Sequence, residues 1–356
     1  MNSTTLFIII ISILIISFII DKVLNTLNEK YFDKKIPEEL SDIYDQKEYE
    51  KSQEYKKTSA KFSKITSFLT TLLTIVFFLI DGFKFLDIYA RTFTNNSILI
   101  ALIFFGIIIL GSTLLSIPVS YYNTFVIEEK FGFNKSSKKI FWIDKIKGLF
   151  ISIILGGGIL ALVIWFYQLT GSNFWIYSWG LVTIFSLFIN MFYAKLIVPI
   201  FNKQSPLEEG ELKSAIEMYA QKVGFTINNI FIIDGSKRST KANAYFSGFG
   251  SQKRITLYDT LINDLETDEI VAVLAHEVGH YKRKHIIFNL ISSVLLTGLT
   301  LYILSLFINS PILSEALGVS RPSFHIGLIA FSILYSPISE FTGLFMNYMS
   351  RKFEYQ

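Results

Sequence analysis

The stretch Thr267-Asp-Glu-Ile-Val-Ala-Val-Leu-Ala-His-Glu-Val-Gly-His-Tyr-Lys-Arg-Lys284 decides the local fold of the part of the chain that carries chemistry. Thr267 is the predicted N-cap, and the acidic residues that follow it suit the positive end of a helix. Apolar residues then recur at helical spacing, and three basic residues close the segment, where cations suit the negative end. The pattern therefore predicts one amphipathic helix.

Two histidines on this helix point to a metal. His276 and His280 are four residues apart, so their side chains lie on the same helical face. With Glu277 they form the His-Glu-x-x-His motif of zinc proteases, in which the glutamate is the general base. We therefore predict His276 and His280 as zinc ligands and Glu277 as the catalytic residue. His285 lies off this face and receives no role, and His325 is predicted at the membrane interface.

The composition is that of a membrane protein. Hydrophobic residues make up 51% of the 356 residues and charged residues only 17%, which is too apolar for a soluble globular protein. The chain has no cysteine, which excludes disulfides, thiolate ligands and cysteine nucleophiles. The net charge of +4 is modest, and it forms no compact basic patch with interleaved aromatic residues. Nucleic acid is therefore not expected as a partner.

Apolar segments long enough to cross a bilayer, which needs about 17–25 residues, occur seven times in the sequence. The first ends in charged rather than small residues, so it is predicted to be an anchor and not a signal peptide. The lipid bilayer is therefore a predicted partner. The seven predicted transmembrane helices are residues 4–20, 65–85, 97–117, 148–169, 174–194, 286–308 and 324–346.

The charges of the connecting segments predict the orientation. The segments on one side hold ten lysines (21–64), six lysines (118–147) and twelve lysines and arginines (195–285). The alternate segments hold one arginine (86–96), no basic residue (170–173) and one arginine (309–323). Segments rich in lysine and arginine remain in the cytosol. We therefore expect the metal site and the C-terminus to face the cytosol.

Between the fifth and sixth spans, the sequence predicts a small α+β domain. Residues 206–223 are predicted as a helix that stops at Gly224, and 229–234, 242–248 and 254–258 as short strands. Residues 21–64 are predicted as a solvated helical hairpin arm. The predicted domains are a membrane domain with spans 1–5 (1–200), a cytosol-facing metalloprotease domain (201–285), spans 6 and 7 (286–346) and the start of a C-terminal catalytic segment (347–356).

Two histidines do not complete a catalytic zinc site, which usually has three protein ligands. The metzincin pattern would place a third histidine six residues after His280, but that residue is Ile286, so this class is excluded. A distant glutamate is the other common solution, and Glu354, just past the seventh span, is the candidate. The alternative is that Glu354 is an exposed residue at the end of the chain.

Seven further segments carry a resemblance to a known family. They are Asn123-Thr-Phe-Val-Ile-Glu-Glu-Lys130, Phe131-Gly-Phe-Asn134, Pro199-Ile-Phe-Asn-Lys203, Asp234-Gly-Ser-Lys-Arg-Ser239, Asn243-Ala-Tyr-Phe246, Lys253-Arg-Ile-Thr-Leu-Tyr-Asp-Thr260 and Ser350-Arg-Lys-Phe-Glu-Tyr-Gln356. With the metal helix, these segments resemble the type I CAAX prenyl endopeptidases, integral-membrane zinc proteases, over nearly the whole chain. The resemblance implies a mainly α, multi-pass fold in which seven transmembrane helices enclose a water-filled chamber, with an inserted α+β metalloprotease domain of the gluzincin type.

The resemblance implies roles by position. It makes Zn²⁺ the cofactor and a peptide or protein, prenylated or membrane-embedded, the substrate. The substrate backbone is expected to pair with an edge strand beside the active site. The implied zinc ligands are His276, His280 and Glu354, the implied general base is Glu277, and the implied substrate-pairing residues are Asn243, Ala244 and Tyr245.

Two departures from the family pattern bear on function. The family has His-Ser before its Asn-Ala-Tyr, where this chain has Lys241-Ala242, and this puts the expected substrate preference in question. The family also continues beyond Gln356 with Ala-Asp and a helical tail that carries a histidine for the transition-state oxyanion. Since second-shell partners hold zinc ligands in place, we expect the chain to be a truncated form. An inactive form is one open outcome.

The predicted function is a zinc-dependent membrane endopeptidase. It would remove the C-terminal tripeptide from prenylated CAAX proteins in the endoplasmic reticulum of a eukaryote, or serve membrane-protein quality control in the inner membrane of a bacterium. Three alternatives remain open at this point. They are a transporter or scaffold with an accidental motif, a heat-shock-type membrane metalloprotease with fewer spans, and an inactive pseudoprotease scaffold.

Overall fold

A computed structural model describes residues 2–32, 35–36, 38, 41–42, 45–225, 229–248 and 253–355. The chain forms two compact units. Unit 1 comprises Met1–Phe131, Leu160–Phe174 and Tyr302–Lys352, and unit 2 comprises Gly132–Ile159, Trp175–Leu301 and Phe353–Gln356. Unit 2 contains all the residues that the sequence predicts to be catalytic, metal-binding or substrate-binding.

Helices dominate both units. The helices up to the protease segment are α1 (Ser3–Glu29), α2 (Gln46–Leu79), α3 (Gly82–Phe93), α4 (Ser97–Tyr122), α5 (Lys138–Ile151), α6 (Gly157–Thr170), α7 (Phe174–Leu196) and α8 (Val198–Phe201). The later helices are α9 (Glu211–Lys222), α10 (Asp259–Asp264), α11 (Thr267–Lys282), α12 (His285–Phe307), α13 (Pro311–Glu315) and α14 (Phe324–Glu354). The four strands are β1 (Gln204–Pro206), β2 (Ile230–Ile233), β3 (Ala244–Ser247) and β4 (Arg254–Tyr258).

Six helical stretches of the described chain are long and apolar enough to cross a membrane. The fourth has 64 residues, which would extend about 96 Å as a straight helix, far more than the roughly 30 Å of a bilayer core. It is interrupted by the 3₁₀ turn Gly171–Asn173, between the predicted spans 148–169 and 174–194. The mainly helical, multi-pass fold is confirmed, and the six stretches agree with the seven predicted spans. They are Ser3–Glu29, Gln46–Leu79, Ser97–Glu128, Lys138–Phe201, His285–Phe307 and Phe324–Glu354.

The polar segment 21–64 is helical on both sides of its middle. Helix α1 continues to Glu29, and α2 begins at Gln46. The Asp45 carboxylate caps α2 by accepting hydrogen bonds from two backbone N–H groups in its first turn. An ion pair between Lys64 and Glu29 joins the two helices. Residues 21–29 and 46–64 are therefore helical, and the hairpin arm stays a prediction because most of 33–44 lies outside the described residues.

A buried polar pair lies in the core of unit 1. His325, on α14, is only 3% exposed, and its Nε2 lies 2.7 Å from Oδ1 of Asp87 on α3. Arg91 donates to the other carboxylate oxygen over 2.8 Å, and the ring of Phe104 packs on His325. His325 is therefore a buried residue with a carboxylate partner, which the sequence did not predict. The residues that surround it come from distant parts of the chain, so the local sequence does not indicate them.

Unit 2 contains a four-stranded sheet with the order β1-β2-β4-β3. Strands β2 and β4 are parallel, and the other neighbouring pairs are antiparallel. The three predicted strands are confirmed. Strand β1 was not predicted because its last residue, Pro206, was assigned to the helix over 206–223, which in fact begins at Glu211. That helix, α9, stops as predicted at Gly224, whose φ is +62°.

Apolar side chains from the sheet, α9 and α11 form the core of unit 2. The buried residues Ile216 of α9, Leu257 of β4 and Ile270 and Leu274 of α11 belong to one cluster. One face of α11 is thereby fixed on the sheet and on α9. The opposite face of α11 carries polar side chains.

Candidate metal centre

Helix α11 presents its two histidines on the face away from the core. Its buried residues Ile270, Leu274 and Val278 recur every four residues, as the predicted apolar stripe requires. The helix starts at Thr267, so the N-cap is Glu266 and the prediction of Thr267 was wrong by one residue. The backbone N–H of Glu266 donates to the Glu269 side chain over 2.9 Å, which is half of a capping box.

Three predicted ligands come together in the fold. The Nε2 atoms of His276 and His280 lie 3.0 Å apart, and Oε2 of Glu354 lies 3.3 Å from the first and 3.6 Å from the second. Within the described residues, these three side chains are the group whose donor atoms could hold a metal ion, all within 4.8 Å of one another. Glu354, at the end of α14, is half-exposed, but its position beside both imidazoles favours a ligand over an unattached surface residue.

Glu277 lies on α11 directly beside His276. Its side chain is half-buried, and within the described part of the chain its carboxylate has no hydrogen bond or ion pair. A carboxylate with no competing partner is able to accept a proton from a nearby water.

The predicted substrate-pairing residues lie in and next to β3, which is an edge strand of the sheet and packs against α11. The N–H of Tyr258 donates to the C=O of Asn243, so these residues form a hydrogen-bonded pair. Because backbone groups alternate along an antiparallel ladder, Tyr245 also points its N–H and C=O at β4, while Ala244 and Phe246 point theirs outwards. Of the three predicted residues, Ala244 therefore carries the free backbone groups.

Asn243 covers part of this edge. Its Oδ1 accepts a hydrogen bond from the outward-facing N–H of Ala244 over 2.9 Å. An exposed edge strand is a template for another chain, and a side chain that occupies one of its donors reduces unwanted pairing. A substrate that pairs at Ala244 has to displace this side chain.

A cavity of about 520 Å³ lies beside β3. Burial raises the pKa of Tyr245, which lines it, so this phenol stays neutral at physiological pH and remains a possible hydrogen-bond donor. Burial also raises the pKa of Tyr258. The cavity therefore combines aromatic walls with amide and hydroxyl groups. Its lining includes Ile189, Asn190 and Tyr193 of α7, Asn243, Tyr245 and Phe246 of the β3 region, and Ile286 of α12.

Two protein families match the chain, and together they cover most of it. Residues 28–203 match a family described as the N-terminal part of CAAX prenyl proteases, with five membrane helices. Residues 206–356 match peptidase family M48. The chain belongs to the CAAX prenyl protease family. The predicted resemblance is confirmed, and membership supports a membrane protease of the metallopeptidase family M48.

Similar CAAX prenyl proteases come from distant eukaryotes. A CAAX prenyl protease 1 homolog of Dictyostelium discoideum is 37% identical over 90% of this chain and 78% of its own length. CAAX prenyl protease 1 of Saccharomyces cerevisiae is 35% identical over 92% of this chain and 78% of its own length. The crystal structure of S. mikatae Ste24p has a TM-score of 0.93 and 34% identity, and covers 98% of this chain and 86% of that one.

One residue at the candidate metal centre of this CAAX prenyl protease family member was not predicted. His285, the first residue of α12, is buried, and its Nδ1 lies 2.9 Å from Nδ1 of His280. The sequence contained one signal, a third histidine within ten residues of His276. Helical spacing alone placed it off the metal face, because the helix break after Lys282 was not taken into account.

Proposed function

We propose that the chain is a zinc-dependent membrane endopeptidase that cleaves prenylated CAAX proteins and releases their C-terminal tripeptide. The observation that carries the proposal is the convergence of His276, His280 and Glu354 on one point beside Glu277. The names of the relatives add the substrate class. The predicted division into a membrane domain (1–200), a protease domain (201–285), two further spans (286–346) and a catalytic segment (347–356) belongs to the same proposal.

The donor set fits zinc in number, type and spacing. Two ligand atoms about 2.0–2.1 Å from zinc at tetrahedral angles lie about 3.3–3.4 Å apart. The three separations here are 3.0, 3.3 and 3.6 Å. Three protein ligands leave a fourth position open, as in catalytic sites. Bound zinc would polarise the scissile carbonyl and lower the pKa of an attacking water towards about 7.

Glu277 is proposed to move the proton in this reaction. Its carboxylate would take a proton from the attacking water and pass it to the nitrogen of the leaving peptide. His276 and His280 hold their ring nitrogens for the metal and do not exchange protons in this scheme. No covalent intermediate with the protein is needed, which agrees with the absence of cysteine.

The substrate is proposed to pair along β3, where Asn243, Ala244 and Tyr245 were predicted to contact it. Main-chain hydrogen bonds to the outward groups of Ala244 give affinity that does not depend on sequence, and the adjacent cavity can receive a substrate side chain. The basic segments 21–64, 118–147 and 195–285 support an active site that faces the cytosol. A lipid-attached substrate would then reach the site from the bilayer in which the protein is embedded.

The first experiment measures zinc content and peptide cleavage on detergent-purified full chain. We expect about one zinc per chain in the wild type and in Glu277→Gln, and loss of zinc in Glu354→Ala. With a prenylated CAAX peptide, Glu277→Gln should lower the rate by about 10²–10⁴-fold. Asp268→Asn, an exposed carboxylate on the same helix, is the matched control and should keep full activity. Wild-type protein without zinc, or an active Glu277→Gln, would refute the proposal.

A second experiment tests pairing at β3. Ala244→Pro removes the outward N–H at the first residue of the strand, where proline is tolerated. Ala244→Val keeps the N–H and adds similar bulk, so it is the control. Loss of one hydrogen bond worth about 0.5–1.5 kcal/mol should lower kcat/KM about two- to tenfold for the proline variant. Equal activity of the two variants would show that the substrate does not pair there.

A further inference from the structure

His285 lies next to the candidate metal centre, in contact with His280. It is the first residue of α12 and is only 5% exposed, yet it is not one of the three candidate ligands. Its Nδ1 lies 2.9 Å from Nδ1 of His280, while Nε2 of His280 is the nitrogen that faces His276 and Glu354. The two ring nitrogens of His280 therefore have separate environments, one at the donor cluster and one at His285.

Zinc bound to Nε2 of His280 would determine how the protons are distributed in this pair. A histidine nitrogen that binds a metal carries no proton, so a neutral ring carries its proton on the other nitrogen. With zinc on Nε2 of His280, that nitrogen would be Nδ1, which would donate the hydrogen bond. The Nδ1 of His285 would then accept it, and a neutral His285 would carry its own proton on Nε2. Metal-binding histidines commonly donate their second N–H in this way, which fixes the tautomer and orients the ring.

His285 also supports the third ligand. Its ring stacks on that of Phe353, with centroids 4.1 Å apart and 9° between the planes. The ring of Phe288, one turn along α12, packs edge-on against the Phe353 ring, with the two centroids 5.2 Å apart. Phe353 immediately precedes Glu354, so the contacts that hold Phe353 restrict where the Glu354 carboxylate can go. His285 thus contacts one candidate ligand, His280, and also Phe353, the residue next to a second candidate ligand, Glu354.

The turn between α11 and α12 makes this contact possible. Helix α11 ends at Lys282, and Lys284 adopts a left-handed conformation with φ +61° before α12 starts. Such a conformation is uncommon for a residue other than glycine and is strained in a lysine. The sharp reversal brings His285 back against His280 instead of continuing the first helix.

We propose that His285 is a positioning residue of the metal centre. It accepts the Nδ1–H of His280, selects the tautomer in which Nε2 of His280 is free to bind zinc, and holds Glu354 in reach through Phe353. The proposal rests on the proposed function, since it assigns a partner to a ligand of that zinc site.

The test compares two replacements in detergent-purified full chain. His285→Phe keeps a flat ring against Phe353 but cannot accept a hydrogen bond. His285→Asn loses the ring but keeps an acceptor, Oδ1, where Nδ1 stood. The zinc dissociation constant is measured by competition with a chromophoric chelator. We expect His285→Phe to weaken zinc binding by about 10–100-fold, as removal of such partners does, and His285→Asn to recover most of that loss.

His325→Phe is the control, because it makes the same replacement at the other buried histidine, whose partner is Asp87 in unit 1. It should leave the zinc dissociation constant unchanged. The unfolding midpoints of the metal-free proteins show whether a variant has lost its fold rather than its ligand orientation. The visible spectrum with cobalt(II) in place of zinc should change in His285→Phe and resemble the wild type in His285→Asn.

Two results would overturn the role of His285 and leave the proposed function intact. One is a wild-type zinc affinity in His285→Phe. The other is a loss in His285→Asn that equals or exceeds the loss in His285→Phe, which would mean that a hydrogen-bond acceptor at this position does not support zinc binding. A wild type that binds no zinc would remove both the proposed function and this inference.

Discussion

Replacing Asp87 by asparagine should destabilise unit 1 far more than the same replacement at Asp81. The side chains of Asp87 and His325 are only 5% and 4% exposed, and Nε2 of His325 lies 2.7 Å from Oδ1 of Asp87. Arg91 binds the second oxygen of the Asp87 carboxylate over 2.8 Å. Asp81, at the N-cap of the same helix, is 59% exposed and lies 3.4 Å from Lys84. The two sites thus offer one chemical change in opposite environments.

The expected magnitudes follow from burial. Breaking a buried, hydrogen-bonded charge pair from one side costs about 3–5 kcal/mol, because the remaining charge is left without its partner. An exposed ion pair contributes about 0–1 kcal/mol. At about 2–4 °C per kcal/mol for a domain of 150–250 residues, Asp87→Asn should lower the unfolding midpoint by about 6–20 °C. Asp81→Asn should lower it by no more than about 4 °C.

The assay is thermal unfolding in detergent of wild type, Asp87→Asn, His325→Gln and the double variant. Since Asp87 and His325 are in direct contact, the two single effects should not add, and the coupling should be about 0.5–3 kcal/mol. Equal effects of Asp87→Asn and Asp81→Asn, or additive effects at Asp87 and His325, would refute the reasoning.

The pH dependence gives an independent check on the Asp87 pair. Burial by itself would raise the pKa of Asp87, but hydrogen bonds from His325 and Arg91 outweigh it and hold the pKa below its usual value. A carboxylate with a lowered folded-state pKa stabilises the fold above its unfolded-state pKa, and this contribution is lost as pH falls through the folded value. The difference between wild type and Asp87→Asn should therefore shrink below about pH 4.

Three further outcomes are expected. Lys284→Gly should raise the unfolding free energy by up to about 1 kcal/mol, because glycine adopts a positive φ without strain; a lower midpoint would contradict this. A zinc chelator should abolish peptide cleavage, and added zinc should restore it and raise the midpoint of the wild type more than that of Glu354→Ala. Arg238→Lys should lower the midpoint measurably, since Arg238 donates to both carboxylate oxygens of Asp144 over 2.7 and 2.9 Å, and lysine cannot reproduce that fork.

The sequence predicted well what depends on neighbouring residues. Hydropathy over twenty residues located the helices that can cross a membrane, and turn signals between short segments located three strands. His276 and His280 were predicted because both lie on one helix, where spacing fixes their common face. In each case the determining interactions are local, so they can be inferred without knowledge of the tertiary fold.

The features that the local sequence did not indicate depend on contacts between distant segments of the chain. Strand β1 exists because Gln204–Pro206 pairs with β2, a contact that its own three residues do not specify. His325 is buried because Asp87 and Arg91 arrive from another helix. Glu354 could be proposed only by elimination and resemblance, because its distance from the two histidines depends on where α14 ends. Each of these features needs the three-dimensional arrangement of distant segments.

The candidate metal centre is built from the ends of three helices, and this explains why one of its residues was missed. His280 lies in the last turn of α11, His285 is the first residue of α12, and Glu354 is the last residue of α14. Both α12 and α14 are long and apolar enough to cross a membrane. The start of α12 and the end of α14 therefore determine the positions of His285 and Glu354. In this way a helix long enough to cross a membrane can also position a side chain of the candidate site, and the sharp turn at Lys284 brings the start of α12 back to that site.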